Sequence, residues 1–273
     1  MLTTNNWLTT NVKAKSQNRN LDFDVTTNLY PFKKMSFDDA SIFAAKKIQS
    51  DFQLPFFLGL SGGADSEYVL KVFHKLDIPM TPIIVECYGN RFEILYAYRI
   101  CRELNIEPII IKVTQKEIIK YFYNIIHKKF NLYAIDTIYS LIAAQEAKKL
   151  GGVFITGENP IVNEESNQKT FDEFEFYPDL LDIEYLSFYY YTLELFFSLI
   201  TNTQKDEITA DFKHRMYQNI WRPKLYSVHS KETVDLYHNI IDKIEYGKKE
   251  YDFGNSFIEE IETYGTNVSN KSL

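Results

Sequence analysis

Apolar residues fall in two patterns along this chain. Short unbroken runs stand at Pro55-Phe56-Phe57-Leu58-Gly59-Leu60, Pro82-Ile83-Ile84-Val85-Glu86-Cys87-Tyr88, Pro108-Ile109-Ile110-Ile111-Lys112-Val113 and Val153-Phe154-Ile155-Thr156. Runs of this length, bounded by proline or glycine, predict buried strands. Between them the apolar spacing is helical. Ile42, Phe43, Ala45 and Ile48 share a face of a helix over 37–51, with Ser36 as its N-cap and Asp38 and Asp39 in its first turn. Helices are also predicted over 64–76, over about 92–104, over 115–130 and over 136–149. The last of these has Asp136 as its cap and Gly151-Gly152 as its stop. Strand and helix in alternation predict an α/β fold, an open parallel sheet with right-handed crossovers and helices on both faces.

Outside this region the pattern weakens. Residues 1–35 are polar and rich in Asn and Thr, and read as an irregular arm that Leu2, Trp7 and Leu8 would pin to the body. The α/β domain spans 36–180. Its end, 161–182, is acidic and irregular, with a short strand at Phe174-Glu175-Phe176-Tyr177. From Leu186 the spacing turns helical, with Thr192 as a cap. Further helices over 206–220, 230–246 and 256–263 make 181–273 a helical C-terminal extension.

Bulk composition narrows the classes. The chain has 273 residues, 45% of them hydrophobic, and a formal net charge of −7. No basic stripe stands out, so a nucleic-acid partner is not favoured, though tRNA stays an alternative through a local patch. No run reaches the length of a membrane helix, and the first fifteen residues lack a signal-peptide core, so a cytoplasmic protein without a membrane partner is expected. Cys87 and Cys101 form no CxxC, and the five histidines (74, 127, 214, 229, 238) have no metal-ligand spacing. Abundant Asn, Ile and Lys fit an AT-rich genome, viral or from a streamlined bacterium. Among the 20 Tyr and 21 Phe, clusters stand at 121–123, 171–177 and 188–197, as core or as an aromatic surface for a homo-oligomer.

The chemistry concentrates at Ser61-Gly62-Gly63-Ala64-Asp65-Ser66, between the first strand and its helix. Two glycines let backbone approach an anion closely. The helix start offers N–H groups and the positive end of a dipole, and two serines add hydroxyls. Strand, glycine turn and helix suit a phosphate or pyrophosphate. The alternative is a plain glycine turn before an ordinary helix.

All six positions of this stretch also resemble the SGGxDS loop of the PP-loop, N-type ATP pyrophosphatases, with Ala64 at the variable place. The order of elements over about 36–180 is similar to the synthetase half of asparagine synthetases. The resemblance implies an adenine nucleotide alpha hydrolase-like fold, with ATP and Mg²⁺ as cofactors. It implies attack of a carboxylate or amide-type oxygen on the α-phosphate, release of pyrophosphate, and capture of the adenylate by a nitrogen nucleophile. By the same resemblance Ser61, Gly62, Gly63, Asp65 and Ser66 hold pyrophosphate, and Asp65 either accepts N–H bonds that shape the loop or faces the metal. Val85, Glu86 and Cys87 end the second strand where adenine is commonly contacted, the alternative being strand packing with Glu86 in solvent. Thr156, Gly157 and Glu158 match a second motif at the end of the fourth strand, with Glu158 on the metal or the acceptor, or simply a solvated turn residue. Asn159-Pro160 departs from the glycine-rich run expected there.

No glutaminase half and no cysteine at position 2 are seen, so ammonia is expected from solution or from a partner. Glu164, Glu165, Asp172, Glu173 and Glu175 are either a metal-binding stretch or a solvated loop, and Arg222 and Lys224 either a substrate clamp or surface charge. A small-molecule acceptor is the expected partner. A nucleobase- or tRNA-modifying enzyme and a non-catalytic nucleotide binder are the alternatives.

Overall fold

The computed structural model describes residues 7–14, 21–27, 31–87, 90, 94–121, 137–157 and 182–202. Glu158, Asp136, residues 122–130, the acidic stretch, the strand expected at 174–177, Arg222, Lys224 and the helices expected beyond 206 lie outside them.

Among the described residues, five parallel strands form the main sheet in the order β5-β4-β3-β6-β7. They are β3 (Phe56–Gly59), β4 (Met80–Glu86), β5 (Ile109–Lys112), β6 (Val153–Thr156) and β7 (Tyr185–Ser187). From β3 the chain steps outward through helix α2 (Ala64–Lys75) to β4 and through α3 (Ile94–Glu103) to β5. It then returns past β3 through α4 (Gln115–Tyr121) and α5 (Thr137–Lys149) to β6. Reversing direction moves the helices to the other face, because each crossover keeps one hand.

The core divides accordingly. Ala44, Ile48, Leu58, Val69, Leu70, Phe73, Ile84, Ala97 and Ile155 fill one side of the sheet, under α1 (Phe37–Asp51), α2 and α3. Phe57, Ile83, Val85, Leu141, Ala144, Phe154 and Tyr185 fill the other, under α4 and α5. Full burial of a side chain of this size stabilises by about 1.5–3 kcal/mol. The expected α/β fold, with its parallel sheet covered on both faces, is what the chain forms.

The helix boundaries follow local chemistry. Ser36 caps α1, its Oγ accepting from the Asp39 N–H at 3.2 Å. Gly151, at φ +72°, ends α5, with the Gly152 N–H on the Ala147 carbonyl and the Gly151 N–H on that of Lys148, each at 3.0 Å. That is a Schellman turn, and glycine is the residue its left-handed position favours.

Three expectations are corrected. The N-terminal arm is not irregular: β1 (Leu8–Ala14) and β2 (Leu21–Thr27) pair antiparallel, Val12 opposite Phe23 and Ala14 opposite Leu21. Leu21, Phe23 and Val25 alternate with Asp22 and Asp24, a period of two hidden by the surrounding Thr and Asn. The expected pinning by Trp7 holds, since its buried indole N–H donates to the Tyr190 carbonyl at 3.0 Å. Strand β4 starts at Met80, ahead of Pro82, because Met80 and Thr81 pair with Phe56 and Phe57. Pro82 lacks a donor only toward β5, where pairing starts at Ile83. Last, Tyr185–Ser187 is a sheet strand followed by a 3-10 turn (Phe188–Tyr190), and helix α6 runs Leu193–Asn202. The aromatic run read as helical there is buried core around Phe188, Tyr189 and Tyr191. The Leu195 N–H donates to Thr192 Oγ1 at 3.2 Å, so Thr192 is the expected cap. No helix among the described residues is long and apolar enough to cross a membrane.

Candidate functional site

Strand β3 ends in the centre of the sheet, and the loop Ser61–Gly63 leaves it directly for α2. Gly62 turns at φ +89°, a conformation side chains with a Cβ rarely adopt. Gly63 is the N-cap of α2, and no side chain caps that end. The first-turn N–H groups of a helix have no acceptor within it. They and the dipole make the end of α2 attractive to an anion.

Two serines shape the loop. Ser61 Oγ accepts from the Gly63 N–H at 3.1 Å, and Ser66 Oγ donates to the Gly63 carbonyl at 3.2 Å. The two hydroxyls are 3.3 Å apart. The single proton of Ser66 is used on Gly63, so Ser61 is the donor between them. Ser61 is exposed, Gly63 and Asp65 are half-buried, and Ser66 is buried.

Strand β6 is the other neighbour of β3, with Phe56 opposite Val153 and Leu58 opposite Ile155. Its end therefore lies beside the loop. Contact there is tight. A Cβ on Gly157 would sit 2.7 Å from the Ser66 nitrogen, 2.8 Å from the Asp65 carbonyl carbon and 2.9 Å from Ser66 Cα. These are backbone atoms, so any side chain at 157 must displace the first turn of α2. Tyr189, from the 3-10 turn, donates its hydroxyl to the Asp65 carbonyl at 3.2 Å and fixes the same turn from another side. The Thr156 side chain turns inward, its Oγ1 3.2 Å from the Tyr185 hydroxyl.

The end of β4 makes the third wall. Val85 and Cys87 are buried toward α5, and Cys87 Sγ lies 3.1 Å from the Tyr139 hydroxyl. The Glu86 side chain goes to the opposite face, where its Oε2 accepts from the Tyr98 hydroxyl at 2.9 Å and lies 3.9 Å from Lys112 Nζ. Burial, then the bond and charge of Glu86, push the Tyr98 hydroxyl up to about 12. The Glu86 carbonyl accepts from the Val113 N–H at 2.9 Å, on the β5 side. Backbone direction alternates along a strand, so Val85 and Cys87 present their N–H and C=O groups toward β3 and the loop. Asn90 meets them there: its Nδ2 donates to the Val85 carbonyl at 2.7 Å, and its Oδ1 accepts from the Cys87 N–H at 2.9 Å.

Ser61, Gly62, Gly63, Asp65, Ser66, Thr156 and Gly157 thus come together at the carboxyl end of the sheet, with Val85 and Glu86 on the adjoining strand. Strand order reverses at β3 and β6, which is where open α/β sheets bind ligands. Glu158 lies outside the described residues. Among those described, no three His, Cys, Asp or Glu gather to hold a metal. Mg²⁺ bound through nucleotide phosphates needs only one or two protein carboxylates, and Asp65 is a half-buried carboxylate in the first turn of α2. Sequence reasoning missed Tyr189 and Asn90. Tyr189 carried only an aromatic-cluster signal, and Asn90 only the turn signal of Gly89-Asn90.

A scan against protein-family models finds no match, and no curated protein matches the chain. Solved structures do resemble it. A glutamine-dependent NAD+ synthetase from Acinetobacter baumannii in complex with ADP aligns at a TM-score of 0.42 and 15% identity, over 91% of this chain and 48% of that one. An NH3-dependent NAD synthetase from Campylobacter jejuni aligns at 0.41 and 16%, over 88% and 97%. An NMN synthetase from Francisella tularensis aligns at 0.38 and 15%, over 76% and 94%. The chain spans about half the length of the first of these.

Proposed function

We propose that this chain is an ATP pyrophosphatase that adenylates an oxygen of a small acceptor. One observation carries the reading: the Ser61–Ser66 loop sits at the reversal point of the sheet, with Gly157 against the backbone of Asp65 and Ser66. A glycine turn alone would not need a second glycine from another strand to clear it.

On ATP binding, the loop N–H groups and the Ser61 and Ser66 hydroxyls would exchange their bonds within the loop for the β and γ phosphates. The acceptor's carboxylate or amide-type oxygen attacks the α-phosphorus. The bond from α-phosphorus to the bridging oxygen breaks, and pyrophosphate leaves with that electron pair. A nitrogen nucleophile then attacks the activated carbon and AMP departs. Mg²⁺, when bound through Asp65 and the phosphates, would neutralise charge on the leaving pyrophosphate. Glu158 is the proposed second carboxylate, for the metal or the acceptor. The chain's own part is positioning and charge stabilisation, with no covalent enzyme intermediate. The asparagine-synthase-like form of this reading rests on the order of elements and on Gly157 closing β6.

The test is product analysis with MgATP, amino acids and ammonia, and then tRNA. Equimolar pyrophosphate and AMP are expected from wild type, lowered at least tenfold in Asp65→Ala and Ser66→Ala, as for loss of one charge-assisted contact. Release of ADP and phosphate would place the cleavage at the wrong bond and refute the proposal. Stimulation by tRNA alone would replace the small acceptor with a nucleic acid.

A further inference from the structure

The Leu60 N–H donates to the Ile83 carbonyl at 3.0 Å, the last rung between β3 and β4 before the chain turns into the loop. Beyond it, the β3-facing backbone of β4 continues without a strand beside it. Val85 lies about 7 Å further along at the usual rise per residue. There the Asn90 carboxamide takes two of these backbone groups, the Val85 carbonyl at 2.7 Å and the Cys87 N–H at 2.9 Å. A third contact, the Asn90 N–H to the Cys87 carbonyl at 3.4 Å, holds the residue close. The orientation is forced: a carbonyl needs the amide NH₂ and an N–H needs the amide oxygen.

A carboxamide carries a donor and an acceptor on neighbouring atoms of one plane. The N6/N1 edge of adenine carries the same pair in the same arrangement, which is why carboxamides and adenine edges are complementary to the same kinds of partner. The Val85 and Cys87 groups that Asn90 holds face the β3 side of β4, beyond the last rung to Leu60. We infer that the Asn90 side chain is an internal stand-in for the adenine edge. It satisfies the end of β4 while no nucleotide is bound, and it must leave when the base docks on Val85 and Cys87. Asn90 therefore sets the affinity for adenine nucleotides. The inference rests on the ATP reading above.

A stand-in occupied in about nine of ten molecules raises the apparent Kd about tenfold over the intrinsic value. Calorimetry on the full chain would compare wild type, Asn90→Ala and Asn90→Asp, each checked for its folded circular-dichroism spectrum. The Asp variant keeps an acceptor for the Cys87 N–H but sets an oxygen against the Val85 carbonyl. The probes are ATP, purine riboside triphosphate, which lacks the 6-amino group, and inorganic tripolyphosphate. Both variants should bind ATP about tenfold more tightly, gain less for purine riboside triphosphate, and bind tripolyphosphate as wild type does. Equal or weaker ATP binding by folded variants would overturn the inference and leave Asn90 as a strand-end cap. So would an equal gain for tripolyphosphate. Absence of ATP binding in all three proteins would overturn the ATP reading itself, and this inference with it.

Discussion

Tyr191 and Asp51 stand 140 positions apart, yet the tyrosine hydroxyl donates to Asp51 Oδ2 at 2.5 Å. The same carboxylate takes Lys47 Nζ at 2.8 Å. Burial alone would raise the Asp51 pKa, but the bonds from Lys47, Tyr191 and Ser50 and the charge of Lys47 outweigh it and leave the group below its ordinary value. Burial and then Asp51 push the Tyr191 hydroxyl far up. A depressed folded-state carboxyl contributes stability above its unfolded pKa and loses it as pH falls through the folded value. Tyr191→Phe should therefore lower stability by about 1 kcal/mol near neutral pH, with the gap closing below about pH 4 as Asp51 protonates. Urea midpoints for both proteins across pH would show this. A gap constant with pH would mean the hydroxyl acts through packing and not through Asp51.

Three helices of the α/β body reach the next strand through one kind of corner. After α2, α3 and α5 the left-handed residue is Asp77 (φ 54°), Asn105 (φ 54°) and Gly151 (φ 72°). Each is followed by an N–H on the carbonyl five residues back: Ile78 to Phe73, Ile106 to Cys101 and Gly152 to Ala147. Only the glycine adopts this geometry without strain. Asn105, exposed at its corner, should tolerate replacement. Asn105→Gly is expected to raise stability by up to about 1 kcal/mol, read as a higher urea midpoint at unchanged slope. A lower midpoint would mean the asparagine side chain contributes more than its backbone strain. These corners show what was readable beforehand. Gly151 announced itself as a stop, whereas Asp77 and Asn105 did not, because the left-handed state of a non-glycine residue is imposed by the strand that follows. Likewise α1 was readable from Ser36 and its acidic first turn. Strand β7 was not, since three residues carry no period and only pairing of Phe154 with Tyr185 and Ile155 with Leu186 defines it.

The whole molecule gathers its chemistry through topology. Reversal of strand order at β3 puts residues 61–66, 85–87, 90 and 156–157 at one end of the sheet, and the 3-10 turn after β7 adds Tyr189. The sequence made the loop legible because its strand, glycines, serines and helix are contiguous. It made Gly157 legible only through a resemblance, and Asn90 only as a turn residue, because its bonds depend on which side of β4 faces the loop. In the proposed reading, Gly157 seats the loop to hold a triphosphate. Calorimetry with MgATP on wild type and Gly157→Ala tests it, with circular dichroism as a check on fold. A methyl group at 2.7 Å from the Ser66 nitrogen must push the first turn of α2 aside. The expected result is micromolar-to-millimolar binding by wild type and at least tenfold weaker binding by a folded Gly157→Ala protein. Equal affinities in the two proteins, or no binding by wild type, would contradict it.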